Sequence, residues 1–281
     1  MSKQLSLDDF RAVRVVLEPD DFAITDGYPD RPPSDLISKE IWFGIMDLPD
    51  DVAVRTSSHN GQALGDIYRI WGDWIGAIGD PEHPDPLFEP MLDAADDLKA
   101  SIFDALHGFY RTAFSALRNV LELMTIGTCG SLNNSQQYKD WRNGTLEFKF
   151  GAACDQLSKE QALRSFNEQM TDEGQQPLWD PKSPTSPGGY CRSLYRDLCN
   201  YAHSRPGFTD ADLRRSNGPI YVPEVFWEWH LTYLRVISLG SVMAALARPH
   251  GDIALLSDLY SNDPNVLPPE LLKAGALLHL A

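Results

Sequence analysis

Apolar residues recur at three- and four-residue spacing through most of this chain, a period that predicts α-helix rather than strand. Over 62–78, Leu64, Ile67, Ile70, Trp71, Trp74 and Ile78 share one helical side. That helix is expected to start after the turn Asn60-Gly61 and to end at the proline-rich run Gly79-Asp-Pro-Glu-His-Pro-Asp-Pro86. A longer pattern over about 86–126 buries Phe103, Leu106, Phe109, Tyr110, Ala113, Phe114, Leu117, Leu121 and Met124, with a bend at Gly108 and stops at Gly127 and Gly130. His107, Arg111, Arg118 and Glu122 fall within about 60° of one another on its opposite side. A polar Ser/Asn/Gln loop follows, then a helix over 150–170 and a Pro/Ser/Gly loop over 175–189. A helix over 190–204 is closed by Pro206-Gly207, and Asn217-Gly218-Pro219 makes a turn. Pro223 opens a last long helix to about residue 247, anchored by Val225, Phe226, Trp229, Tyr233, Val236, Ile237 and Leu239, with a short helical tail near 265–280. Residues 1–58 are poorly periodic, and 12–17 and 52–55 read as short strands. The expected class is all-α, a bundle of four or five core helices with long connections. An irregular acidic elaboration over 1–80 is expected to precede a helical domain over 85–281.

Composition leaves that picture in place and narrows the chemistry. The 281 residues are 43% hydrophobic and 23% charged, enough for a substantial core. Net charge is −16 and unevenly spread: residues 1–105 carry 8 Lys/Arg against 22 Asp/Glu, and 106–281 carry 16 against 18. Such a surface does not hold long duplex nucleic acid, because phosphate contacts need a basic footprint. A small basic pocket remains compatible with it, since 190–216 holds Arg192, Arg196, Arg205, Arg214 and Arg215 against Asp197, Asp210 and Asp212. No apolar run approaches the length of a membrane span, and the first residues lack the pattern of a secretory signal. Cys129, Cys154, Cys191 and Cys199 form no Cys-x-x-Cys pair, and Cys191 and Cys199 read as buried thiols. A reduced, cytoplasmic protein is therefore expected. There is no dinucleotide or Walker loop, no Gly-x-Ser-x-Gly elbow and no His-Glu-x-x-His, so neither cofactor nor metal is expected. His59 and His83 sit in polar loops without a ligand partner at sensible spacing, and the acidic pairs Asp50-Asp51 and Asp96-Asp97 read as solvated surface. The tryptophans read as packing residues of the core or of a dimer.

The candidate chemistry lies in 190–203. On a helix, Cys191, Leu194, Tyr195, Leu198, Cys199, Tyr201 and Ala202 form one continuous arc. Arg192, Arg196, Asn200 and His203 form a polar stripe about 80° wide, with Arg196 and His203 about 10.5 Å apart along the axis. A guanidinium suits bidentate phosphate contact and an imidazole suits proton transfer near neutrality. The stripe reads equally as a polar seam, for which the residues His107 to Glu122 are an available partner.

Arg196-Asp197-Leu-Cys-Asn-Tyr-Ala-His203 resembles the Arg-polar-x(3–5)-His motif of the HEPN superfamily, all-α proteins that include many metal-independent ribonucleases. The resemblance extends through Ser204-Arg205-Pro-Gly and covers roughly residues 90–247, with a long helix ahead of the motif helix and another after it. It implies a HEPN-like helical bundle that dimerises to bring two motif helices together, and an endoribonuclease of toxin or phage-defence type. In that reading Arg196 holds the scissile phosphate, His203 is the general acid or base, and Asp197 orients Arg196. The 2′-OH of RNA is the nucleophile, leaving a cyclic phosphate. Arg192, Asn200, Tyr201, Ser204 and Arg205 would contact substrate, and a regulatory or antitoxin protein would be a partner. Side chains on a helix lean toward its N-terminus, so Arg196 reaches away from His203 and one copy does not bring both groups to one phosphate. The alternative reading is a catalytically silent HEPN-like module that binds a nucleotide or a partner protein, with acidic residues 1–105 as a docking surface.

Overall fold

The structure, a computed structural model, describes residues 38–133, 136–172, 174–183, 186, 188–202, 218–248, 266–278 and 280. The strand expected over 12–17, His203, Ser204, Arg205 and Pro206-Gly207 lie outside the described residues. The chain divides into Met1–Ile45 and Met46–Ala281. Of the first unit, helix α1 (Lys39–Trp42) is described, capped by Ser38, whose hydroxyl accepts from the Ile41 amide.

The second unit is an all-α bundle. Its helices are α2 (Leu48–Gly76), α3 (Phe88–Leu106), α4 (Tyr110–Asn133), α5 (Gln136–Arg142), α6 (Phe150–Leu157), α7 (Gln161–Asp172), α8 (Gly189–Ala202), α9 (Pro223–Ala247) and α10 (Pro269–Leu277). No strand occurs among the described residues. The central helix is α4, which packs against α3, α5, α6, α8 and α9. Its Ala113, Phe114, Leu117, Val120, Leu121 and Met124 are buried on a helical repeat.

Residues 52–55, expected as a strand, lie inside α2. Pro49 and the carboxylates of Asp50 and Asp51 occupy its first turn, where a missing amide and negative charge both suit a helix start. Val52, Thr56 and Asn60 then face the core one turn apart, and this burial outweighs the strand preference of Val52 and Val54. Asn60-Gly61 is likewise a kink within α2 rather than its beginning. The Asn60 amide donates to the Thr56 carbonyl and to the Tyr221 hydroxyl, and Asn60 takes φ −130°, ψ 24°. Further along, the indoles of Trp71 and Trp74 donate to the carbonyls of Ala95 (2.9 Å) and Met91 (3.0 Å), fixing α2 on α3.

The expected helix over 86–126 is two helices. Gly108 has φ +80°, and a Cβ there would lie 2.3 Å from the Ile220 carbonyl oxygen, so the break accepts only glycine. His107 consequently ends α3 and does not continue the row of Arg111, Arg118 and Glu122 on α4. Conversely, Gly127 and Gly130 do not stop α4, which runs on to Asn133. A Cβ on Gly127 would lie 2.7 Å from Pro90 Cβ, and one on Gly130 2.3 Å from the Tyr138 ring. These glycines let α3 and α5 approach the α4 backbone. The helix expected over 150–170 is also divided, at 158–160, into α6 and α7.

The boundaries of α9 follow the expectation, as does the helical tail. Among the described residues α9 is the one helix long and apolar enough to cross a membrane by length and composition, and 61% of its apolar window is buried in this bundle. Trp229 on α9 donates to Ser101 Oγ (2.9 Å), which donates to the Ala113 carbonyl (2.8 Å), so one buried hydroxyl joins α3, α4 and α9. Just past α9, Arg248 clamps the α2–α3 connection. Its guanidinium forks onto Asp85 and donates to the carbonyls of Ala77 and Ile78, both at 2.9 Å. Burial pushes the Asp85 carboxyl up, but hydrogen bonding and charge from Arg248 outweigh it and hold the group below its ordinary value. Because that pKa is depressed in the fold, the stabilisation is present above about pH 4 and is lost as acid titrates Asp85. Arg248→Leu is expected to cost about 2–3 kcal/mol in urea unfolding at pH 7. The part of that difference owed to Asp85 should shrink as the pH falls below about 4, and the part owed to the Ala77 and Ile78 carbonyls should remain.

Candidate functional site

The amides that open α8 are held by the preceding loop. Tyr190 and Cys191 donate to the carbonyls of Pro177 and Leu178, both at 3.0 Å, and Gly189 at φ +84° leaves room for the Leu178 backbone. Leu178 and Trp179 are buried, and Asn167 of α7 bonds to both of their backbones. The described part of this loop therefore serves as a rigid mount for α8. At the other end, Arg111 Nε of α4 donates to the Tyr201 carbonyl at 3.3 Å, a cation at a helix C-terminus.

Between these anchors the face of α8 centred on Cys191, Leu194 and Leu198 is buried against α4. Cys199, placed on the same arc, is half-buried. Tyr195 lies on one flank. It stacks on Phe150 of α6 (centroids 3.6 Å apart, planes 10°), meets the Arg118 guanidinium of α4 and donates to Glu122 (3.3 Å). Arg118 and Glu122 pair at 3.1 Å. Arg118 and Glu122 of the α4 row are thus engaged by Tyr195 and Arg111 by the Tyr201 carbonyl, and not by the polar stripe.

The stripe itself is divided. Arg192 is tied down: its guanidinium donates to the Gly151 carbonyl (2.7 Å) and to Asp155 of α6, and its side chain is 13% exposed. It is a structural link between α8 and α6. Arg196 and Asn200 face away from α4 and are exposed. Arg196 has no hydrogen bond or ion pair among the described residues, and none joins it to Asp197, which is also exposed. His203, Ser204 and Arg205 lie outside the described residues.

The opposite flank of α8 forms a groove with α9, of about 640 Å³. Asp197, Asn200 and Tyr201 of α8 and Glu224, Trp227, Glu228, Leu231, Thr232 and Arg235 of α9 line it. Tyr201 stacks on Phe114 (4.0 Å, 16°) and donates to Glu228 Oε1 at 2.6 Å, which holds that carboxylate in place. Trp227 is 46% exposed, so of the packing roles expected of the tryptophans it does not take the one in this bundle's core. Three predicted site residues thus meet in the groove, while Arg196 stands outside it. The α9 wall went unread in the sequence because Glu224, Glu228 and Arg235 interrupt an otherwise apolar helix at spacings of four and seven residues. That spacing is the signal that marks them.

His230 stands next to this wall, its ring edge-on to Trp227 at 5.1 Å and its Nδ1 buried without a partner. Burial pushes its pKa down to about 4, against a weaker upward pull from Asp66. The folded protein therefore keeps it neutral where the unfolded chain takes up a proton near pH 6.5. Stability is full above about pH 6.5 and falls as the pH drops toward 4, by on the order of 3 kcal/mol from this group. His230→Leu should flatten the urea midpoint over that interval relative to the unsubstituted chain.

One cluster of metal-ligand type does occur among the described residues, although His83 was expected to have no ligand partner. Ligand atoms of Asp80, Glu82 and His83 lie within 4.8 Å of one another, all exposed. The turn explains the proximity, since Asp80 accepts from the Glu82 amide (2.8 Å) and pairs with His83 (3.1 Å). No family model matches the chain, and no curated protein sequence or solved structure matches it.

Proposed function

We propose that this chain is a HEPN-like, metal-independent endoribonuclease of toxin or defence type, cytoplasmic, and active as a homodimer through α8. The observation that carries the reading is the free cation: Arg196 sits on a rigid helix, on the face opposite its buried side, exposed and unpaired among the described residues. Most guanidinium groups in this bundle that approach a carboxylate are spent on it, as Arg192, Arg142 and Arg248 are. A second copy that docks α8 against α8 would bring Arg196 of one chain to the motif histidine of the other. Arg196 then grips the scissile phosphate in a bidentate manner. His203 takes the 2′-OH proton as that oxygen attacks phosphorus, and a second proton transfer releases the 5′-oxygen, leaving a 2′,3′-cyclic phosphate. Asp197, assigned to orient Arg196, lines the α9 groove, and no bond joins the two among the described residues.

A second reading is favoured by α3. Burial and the neighbouring carboxylates Asp96 and Glu89 raise the pKa of Asp93, and burial raises that of Asp97; Glu89 is paired with Arg142, but no ion pair reaches Asp93, Asp96 or Asp97 among the described residues. In this reading the chain is a non-catalytic HEPN-like module docking a basic partner protein. The two readings separate on incubation of the full chain with total RNA in EDTA. Cleavage to cyclic-phosphate ends that is lost in His203→Ala supports the nuclease. Intact RNA, or equal cleavage by both proteins, removes it. Light scattering on a size-exclusion column is expected to give a dimer, and a strict monomer sinks the two-copy cleft.

A further inference from the structure

The α8–α9 groove has a chemistry that phosphate binding does not use. Asp197, Glu224 and Glu228 repel a phosphodiester, and the phosphate-gripping Arg196 does not line it. Its volume, about 640 Å³, lies in the range of sites that enclose a nucleoside-sized ligand. A half-exposed indole is part of its lining. Trp227, 46% exposed, is kept in place by edge-on contacts with Phe226 (5.7 Å, 84°) and His230 (5.1 Å, 69°). Opposite charges stand on the two walls without closing on each other. Asp197 comes from α8 and Arg235 from α9, and no ion pair joins them among the described residues. The Arg235 guanidinium lines the α9 wall and makes no hydrogen bond or ion pair among the described residues, which leaves its donors to an acceptor in the groove.

A planar group that stacks on an indole, donates toward a carboxylate and accepts from a guanidinium matches these three requirements. Guanine is such a group. Its N1–H and exocyclic N2–H₂ donate side by side, and its O6 and N7 accept, the pair of atoms that arginine reads most often. A carboxylate has only acceptors and a guanidinium only donors. Adenine presents an acceptor at N1 where guanine has a donor, so it meets the carboxylate with the wrong sign. The pyrimidines stack a single ring. We propose that the α8–α9 groove binds a guanine base, stacked on Trp227 between the Asp197 carboxylate and the Arg235 guanidinium. With RNA as the source, which rests on the nuclease reading, the groove selects a guanine beside the phosphate held by Arg196.

Calorimetric titration of the full chain with guanosine, adenosine, cytidine and uridine tests the site without any scissile bond. Guanosine is expected to bind at least about tenfold more tightly than the others. Asp197→Asn and Trp227→Ala should each weaken guanosine by about tenfold or more, and both side chains are exposed enough for the fold to tolerate the change. Equal affinity for all four nucleosides overturns the proposal, as does guanosine binding that neither substitution changes. The source is separated with His203→Ala protein and two uridine oligoribonucleotides, one carrying a single guanine and the other a single adenine. Preference for the first makes RNA the ligand. Indifference between them, with 5′-GMP bound tightly, keeps the groove site, makes a free guanine nucleotide its ligand and overturns the RNA assignment. Guanosine binding with total RNA left intact defeats the nuclease reading alone, and RNA cleavage without guanosine binding defeats the groove assignment alone.

Discussion

Arg196→Ala is expected to reduce RNA cleavage about 10²–10³-fold while leaving the fold unchanged. Removing one preorganised donor to developing negative charge costs that much in other active sites. Arg196 is exposed and makes no contact with the core, so its loss should shift stability by no more than about 0.5 kcal/mol. Arg196→Lys keeps the charge but loses the planar fork, and an intermediate loss of about tenfold is expected. Arg192→Ala provides the contrast. Its guanidinium is bonded to Asp155 and the Gly151 carbonyl, so it should lower stability by about 1–3 kcal/mol with little direct effect on the chemistry. Mixing tests the dimer. If each site takes Arg196 from one copy and His203 from the other, Arg196→Ala and His203→Ala proteins refolded together form heterodimers with one complete site, restoring about a quarter of full activity at random pairing. No recovery on mixing, with dimers demonstrated, assigns both groups to one chain.

Gly108→Ala is expected to lose about 3–4 kcal/mol, the largest stability effect of any single methyl in this bundle. Two costs add. A left-handed backbone costs an L-residue about 1–2 kcal/mol, and overpacking adds about 1–3 kcal/mol. The obstructing atoms are the Ile220 backbone at 2.3–2.7 Å, which no rotamer change relieves. At about 2–4 °C per kcal/mol the unfolding temperature should drop by roughly 10 °C. Gly65→Ala should act in the opposite direction. Gly65 lies inside α2 with open space around it, so alanine gains about 1 kcal/mol from helix propensity alone. A Gly108→Ala protein as stable as the original would mean that the α3–α4 corner can move away from Ile220.

Gly108, Gly127 and Gly130 also show how far sequence reading reaches. Gly108 was legible as a bend, because glycine inside a helical pattern admits few other roles. Gly127 and Gly130 carry the same local signature, yet they lie within a continuous helix. What distinguishes them is the presence of Pro90 and Tyr138 against the α4 backbone. The start of α2 was missed for a related reason: valines at 52 and 54 favour a strand, and only burial of Val52, Thr56 and Asn60 on one face makes the segment helical. At the candidate site, the period of α8 correctly separated the buried Cys191, Leu194 and Leu198 from the exposed Arg196 and Asn200. It placed Arg192 with the exposed group because angle around the axis says nothing about reach, and the long Arg192 side chain bends back to α6.

By itself, then, the sequence determines the helical class, the span of α9 from its opening proline, and the division of α8 into an apolar and a polar face. These depend on a period that each segment carries within itself. Tertiary structure alone decides which glycines are stops and which are contacts, which arginines are already paired, and that Asp197 meets Trp227 and Arg235 across a groove. Each of those depends on a neighbour far away in the chain, and packing in three dimensions selects that neighbour while the local pattern does not.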